Sequence, residues 1–184
     1  MPCTGMTHPR TVVGLCGSLR AASINNAVLR AAVSVAPHGV RVELYPSLAD
    51  LPLFNPDLDT TALAPVARLR ERIVAADAVL IASPEYAHGV SGVIKNALDW
   101  LVGDDTWVNK PVAVLNTAPR SQHAHAALCE TLRTMSARLI ESACVALPIL
   151  GSGLDARGIA SHAQHAAGLR AALLALTARR SGVS

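Results

Sequence analysis

Three side chains able to grip a phosphate, Ser18, Arg20 and Ser23, fall within one short polar stretch. That stretch separates two patterns. Before it, the apolar run Val12, Val13, Leu15, Cys16 stops at Gly17; after it, Ile24, Val28, Ala31, Ala32 and Val35 recur at helical spacing. Strand, loop, helix is the first half of a βαβ unit. A helix that begins where the loop ends offers unpaired backbone N–H groups and a partial positive charge to an anion. Two familiar phosphate motifs are excluded. The stretch holds no lysine, as a P-loop would require, and Gly14 and Gly17 are spaced wrongly for a dinucleotide fingerprint, with Ala22 the next small residue. A donor-rich, glycine-poor loop suits a terminal monophosphate. The plainer alternative is a strand–helix turn capped by Ser23, with Ser18 solvated and Arg20 on the surface.

A second chemistry-bearing stretch, Ser83 to Gly89, follows the apolar run Ala78–Ala82 and contains Glu85, Tyr86 and His88. Glu85 could act as a base, although a loop carboxylate before a tyrosine is more often structural. No Gly-x-Ser-x-Gly element marks Ser18 as a hydrolytic nucleophile. The histidine pairs His123/His125 and His162/His165 lack neighbouring acidic or cysteine ligands, so no metal is expected.

The elements that must hold these loops read off the chain in order. Strands are expected at 12–16, 40–44, 78–82, 111–115 and 143–147, and helices at 24–35, 66–75, 90–101, 124–138 and 156–178. A Pro-, Asp- and Thr-rich loop covers 50–65 and carries Leu53 and Phe54. Continuously apolar strands alternating with helices predict a parallel sheet covered on both faces. With right-handed crossovers the expectation is an α/β, three-layer, flavodoxin-like, doubly wound five-stranded parallel sheet of order 2-1-3-4-5. The loops after strands 1 and 3 then face each other across one crevice.

Composition narrows the class. Residues 1–184 are expected to form one domain, with 1–10 a loose extension; no apolar run reaches about 18 residues, so no membrane span is expected. MPCTGMTHPR lacks a secretory core, and Cys3, Cys16, Cys129 and Cys144 are scattered, which predicts a cytoplasmic protein. A net charge of +3 without a basic cluster beyond Arg179–Arg180 argues against a nucleic-acid partner. Aromatics are scarce, yet Tyr86, Trp100 and Trp107 lie close in sequence, pointing to a flat ligand or a subunit interface.

Taken together, Gly17-Ser18-Leu19-Arg20 with Ser23 and Asn25, Pro84-Glu85-Tyr86, and Gly92-Val93-Ile94-Lys95-Asn96-Ala97-Leu98-Asp99-Trp100 resemble the signatures of the NADPH-dependent FMN reductase family. Asp50-Leu51-Pro52-Leu53-Phe54 and Ala76-Asp77-Ala78 resemble its spacers, and the similarity covers roughly 11–150. The resemblance implies an FMN-dependent oxidoreductase fed by NADPH or NADH, passing electrons to a small acceptor such as a quinone, free flavin, azo compound or metal oxyanion. It implies that Ser18, Arg20, Ser23 and Asn25 hold the FMN phosphate. Pro84, Glu85, Tyr86 and the backbone of Ala87, His88 and Gly89 would lie along the ring, with Thr117 and Arg120 on a third loop spanning 117–122. It also implies a homodimer or homotetramer. No protein nucleophile is required, because the cofactor carries the chemistry. The chain departs from the pattern at Ala87, at Ser91 and in the glycine-free Ala118-Pro119-Arg120-Ser121. An FMN-binding electron carrier without nicotinamide activity, or a flavin-free esterase or nucleotide-binding protein, are the competing readings.

Overall fold

Buried apolar runs become the sheet. The computed structural model describes residues 8–59, 62–120 and 122–178. Most of the expected N-terminal extension, Cys3, Thr60 and Thr61 of the long loop, Ser121 of the third loop and Arg179–Arg180 lie outside the described residues. Strands β1 (Arg10–Cys16), β2 (Val40–Leu44), β3 (Ala78–Ala82), β4 (Glu85–Tyr86), β5 (Gly89–Val90), β6 (Pro111–Leu115) and β7 (Arg138–Leu139) alternate with six helices. These are α1 (Ile24–Ser34), α2 (Ala64–Ala75), α3 (Gly92–Asp99), α4 (Gln122–Thr134), α5 (Ala156–Ser161) and α6 (Ala163–Thr177). The main sheet is parallel in the order β2-β1-β3-β6-β7, the expected flavodoxin-like winding once the separate β4–β5 hairpin is set aside.

The alternation of side chains along each strand divides the core into two layers. Val13, Leu15, Val79, Ile81, Val112 and Val114 face α2, α3 and α4, while Val12, Leu80, Ala82, Ala113 and Leu115 face α1, α5 and α6. The central register, Leu15 beside Ile81 and Ile81 beside Val114, stacks branched residues in rows across the sheet. Full burial of both faces explains why these runs are continuously apolar.

Three expected elements are corrected. The fifth strand is not at 143–147. The pairing strand is Arg138–Leu139, after which the chain leaves the sheet in a 3-10 turn at Glu141–Ala143 and rejoins it only through a bridge between Asn116 and Ala146. The helix expected to run to Arg138 ends at Thr134, where Ser136 takes a left-handed φ of 63° and turns Arg138 into the edge strand. The long C-terminal helix is two helices, broken at His162. Its extended backbone (φ −76°, ψ 114°) stops α5, and its imidazole caps α6.

The aromatic clustering also resolves. Trp100 and Trp107 are 2% and 1% exposed and belong to the core. Trp100 Nε1 donates to the Pro52 carbonyl at 2.7 Å, and Phe54 packs edge-on against the indole at 5.1 Å. Asn96 completes the clamp, donating to Pro52 O and accepting from Phe54 N. The long loop is thus pinned to α3 by the Asn96/Trp100 pair, leaving Leu53 85% exposed.

At the β2 edge, Glu43 pairs with both Arg41 and Arg72, and at the sheet's lower end Asp77 accepts from Thr11 N and pairs with Arg10. Asp77 has its pKa lowered: burial alone would raise it, but the Thr11 N–H and the Arg10 guanidinium outweigh that.

Candidate functional site

Where β1 ends, Gly17 is wedged against the loop after β3. A Cβ on Gly17 would lie 2.3 Å from Ser83 Oγ and 2.7 Å from Ser83 Cβ. Only hydrogen fits there. Ser91 Oγ donates to Gly17 O at 2.7 Å, accepts from Ser83 Oγ at 3.2 Å, and caps α3 by accepting from Ile94 N at 3.4 Å. The departure at Ser91 therefore has a physical meaning: a proline at this position could make none of these bonds. Gly17, Ser83 and Ser91 rivet the first and second loops together.

From this rivet the chain runs through Ser18 and Arg20 to Ser23, whose hydroxyl accepts from Asn25 N at 3.2 Å and caps α1. The plainer capping role is real, and the loop does more. Ser18 Oγ accepts from Arg20 N, Ser23 N donates to Arg20 O, and the arginine side chain makes no ion pair or hydrogen bond among the described residues. Beneath the loop, burial pushes the Cys16 thiol up, against hydrogen bonds with Ser18 and Ser23 that pull it down.

The second loop is a hairpin that the spacing did not reveal. Tyr86 pairs with Gly89, and the two turn residues, Ala87 and His88, both have left-handed φ, 49° and 59°. Such turns usually carry Asn-Gly. Alanine is strained there. Glu85 points across to α4, where its Oε2 accepts from Ala124 N at 2.8 Å. The carboxylate thus sits at a helix N-terminus, a structural position with favourable charge. His88 stacks on His123, ring centres 4.5 Å apart.

One open cleft of about 830 Å³ gathers these pieces. Of the residues singled out from sequence, Ser18, Arg20, Ser23, Asn25, Pro84, Glu85, Tyr86 and Thr117 line it, whereas Ala87, His88, Gly89 and Arg120 do not. Buried Asn25 accepts from Thr117 Oγ1 at 3.1 Å, joining α1 to the third loop. Tyr86 stands at the rim, 60% exposed.

Sequence reasoning missed one whole wall. Residues 149–156 close the cleft opposite α1, with the Ile149 and Leu150 N–H groups both donating to Thr117 O. Gly151 and Gly153, at φ 83° and 71°, turn this segment, and Asp155 caps α5 through Gly158 N. Gly-Ser-Gly marks a turn in the sequence; nothing in it marks a ligand wall. Leu150 is 66% exposed at the mouth. The cleft therefore has a polar, cationic end at loop 1 and an apolar lip of Leu150 and Tyr86. It can take a flat ring with an anionic tail.

Comparison with known proteins follows the same lines. Residues 10–150 match the family model described as NADPH-dependent FMN reductase. An NAD(P)H-dependent FMN reductase of Pseudomonas aeruginosa is 40% identical over 116 residues, covering 61% of this chain and 62% of that protein. A quinone reductase of Escherichia coli is 41% identical over 113 residues, covering 59% and 60%. The matches thus span about three-fifths of the length of these curated relatives. Among solved structures, a flavoenzyme NAD(P)H:(acceptor) oxidoreductase from Paracoccus denitrificans is similar with a TM-score of 0.77. It is 32% identical, and the match covers 91% of this chain and 95% of that one.

Proposed function

The chain belongs to the NADPH-dependent FMN reductase family, and from that premise we propose that it is an FMN-dependent oxidoreductase. It draws hydride from NADPH or NADH and passes electrons to a small acceptor such as a quinone, free flavin, azo compound or metal oxyanion. The observation that carries the reading is Arg20: an uncommitted guanidinium beside the α1 N-terminus, at one end of a cleft large enough for a ring system. When bound, FMN supplies the redox chemistry itself, so the chain need only bind, orient and exclude water.

The division of labour is as follows. Ser18, Arg20, Ser23 and the first backbone N–H groups of α1 hold the phosphate. Asn25 acts indirectly, fixing Thr117 and through it the third loop. Pro84 and Tyr86 flank the ring from the hairpin, while Glu85, held by Ala124 N, sets where that hairpin sits. Ala87, His88 and Gly89 shape the turn, and Arg120 lies on the exposed third loop, outside the cleft. Leu150 covers the apolar lip from the far wall.

We read the described residues as one FMN-binding domain that acts in the cytoplasm as a homodimer or homotetramer. Exposed Leu53 and Leu58 in the loop before α2, and Val102 and Val108 after α3, support assembly. Among the described residues no helix is long and apolar enough to cross a membrane.

The deciding experiment is a visible spectrum of the purified protein followed by stopped-flow mixing with NADPH. A flavin spectrum that bleaches within turnover time and recovers on addition of a quinone is the expected result. A bound flavin that stays oxidised would make the protein a carrier, and a colourless protein that takes up no FMN would overturn the proposal.

A further inference from the structure

Past Arg30 on α1 the surface opens a second time, into a groove of about 720 Å³ walled by α1, α5, α6 and β2. Each helix contributes one arginine, Arg30, Arg157 and Arg170, and buried Val35 and Val42 supply apolar surface between them. The charge is one-sided. α1, α5 and α6 contain no aspartate or glutamate, and these three arginines are their only arginines or lysines. No acidic residue lines the groove. Glu43, between Val42 and Leu44 on β2, belongs to the opposite face, where Arg72 pairs with it, and Asp155 is engaged by Gly158 N at 2.7 Å. The Arg157 and Arg170 side chains make no hydrogen bond or ion pair among the described residues. Arg30 commits only its Nε, to Asn26 Oδ1 at 2.9 Å. Three guanidiniums without a counter-charge beside apolar surface suit an anion attached to a flat apolar group.

Arg30 and Ala156 line both this groove and the flavin cleft, so the two adjoin across the α1–α5 rim. They are separate anion positions. From the N-cap Ser23 to Arg30 is roughly 10 Å along the helix, too far for one phosphate to serve both. The cleft, at about 830 Å³, is in the size class of a single cofactor. With a flavin in it, a nicotinamide can reach the flavin ring only if the far end of its dinucleotide lies beyond the rim. The groove offers that end a place, with apolar surface for a purine and arginines for a phosphate.

We propose that the groove holds the adenosine end of NADPH, with Arg30, Arg157 and Arg170 around its 2′-phosphate, and so makes the chain selective for NADPH over NADH. The inference rests on the reductase reading above. A 2′-phosphate is a monoester carrying most of two charges at neutral pH, and it can accept from several guanidinium N–H groups at once. NADH has a neutral hydroxyl at that position. The pyrophosphate is common to both nucleotides and cannot produce selectivity. Because the three arginines are exposed, added salt screens the attraction.

The test uses the whole protein with FMN in excess, which fills the phosphate position at the α1 N-terminus. Calorimetric titration then compares 2′,5′-ADP with 5′-ADP, two nucleotides of similar charge that differ in carrying the 2′-phosphate. The first should bind at least about tenfold more tightly, and its binding should weaken as salt is raised. Arg157→Ala should weaken 2′,5′-ADP about tenfold and 5′-ADP hardly at all, with Arg157→Lys recovering part of the loss. In turnover the same substitution should raise KM for NADPH about tenfold and leave KM for NADH nearly unmoved. Equal affinity for the two nucleotides, or an Arg157→Ala variant that weakens both alike, would overturn the assignment even where NADPH bleaches the flavin. A protein that takes up no FMN would fail the reductase reading instead. The same titrations on that flavin-free protein still read the groove, since Arg157→Ala must then weaken 2′,5′-ADP more than Arg20→Ala does.

Discussion

Adding one methyl group at Gly17 is the most direct perturbation of the rivet between the first two loops. The added Cβ would stand 2.7 Å from Ser83 Cβ and 2.3 Å from Ser83 Oγ. Carbon atoms sit about 3.5–4.0 Å apart at rest, so the two loops must separate by roughly 1 Å. The Ser83 hydroxyl can rotate away by giving up its bond to Ser91, a loss of about 1 kcal/mol. Its Cβ cannot rotate, and overpacking of this kind costs about 1–3 kcal/mol. A gain of about 0.4–1 kcal/mol from the stiffer unfolded chain offsets part of this. Gly17→Ala should therefore lower stability by about 1–3.5 kcal/mol, read by urea unfolding of the flavin-free protein. The second site identifies the cause. In a Ser83→Ala background part of the penalty should remain, because the Cβ is still present; in a Ser83→Gly background most should vanish. A Gly17→Ala cost below about 0.5 kcal/mol, or one unchanged by Ser83→Gly, would refute the steric reasoning.

Four further outcomes follow from the described contacts. Arg20→Ala should weaken FMN binding by roughly one to two orders of magnitude and riboflavin binding hardly at all, so titration of both flavins separates phosphate recognition from a general loss. Ala87→Asn should stabilise the hairpin by about 0.5–1 kcal/mol, because Asn tolerates the left-handed φ at that position; a loss of stability would show that the turn is not strained. Glu85→Ala strips Ala124 N of its acceptor and should cost about 1–2 kcal/mol, detectable in thermal unfolding. Asp77 has a lowered pKa in the folded state, so its contribution is present above the unfolded value of about 3.9 and is lost as pH falls through the folded one. Asp77→Asn should accordingly flatten the acid limb of the stability–pH profile below pH ~4, and an unaltered limb would contradict the pairing with Arg10.

The central strands were legible because each is buried on both faces and written as an unbroken apolar run. Ala78–Ala82 and Pro111–Leu115 stand where their composition placed them, and the edge strand Val40–Leu44 was legible instead from its alternation of apolar and charged residues. The start of α1 was legible from a local signal: Ser23 before Ile24 is both a cap and a boundary. What escaped was set by tertiary context. Ala143–Leu147 has strand composition, but the 3-10 turn at Glu141–Ala143 lifts it from the sheet and leaves pairing to Arg138–Leu139, a dipeptide too short to carry a pattern. The hairpin was hidden because Ala-His carries no turn signal, its conformation being imposed by the pairing of Tyr86 with Gly89. The far wall of the cleft was invisible because its contribution is backbone geometry and one exposed leucine. The clustering of scarce aromatics pointed to a flat ligand or a subunit interface, and the core claimed both Trp100 and Trp107.

The Glu43 ion pairs at the sheet's margin bear on how copies of this chain can meet. An unpaired edge strand is a template for another chain's backbone. Here β2 offers such an edge, but Arg41 and Glu43 project from it, and Arg72 leans over from α2 to Glu43. A neighbour that added a strand alongside would have to displace and desolvate that charged fringe. At the opposite margin β7 is two residues long and then breaks away. Neither margin invites continuation of the sheet from one molecule into the next. Any association between copies must therefore be built from side chains on loops and helix faces, where register is fixed by shape and the assembly can close instead of growing without limit.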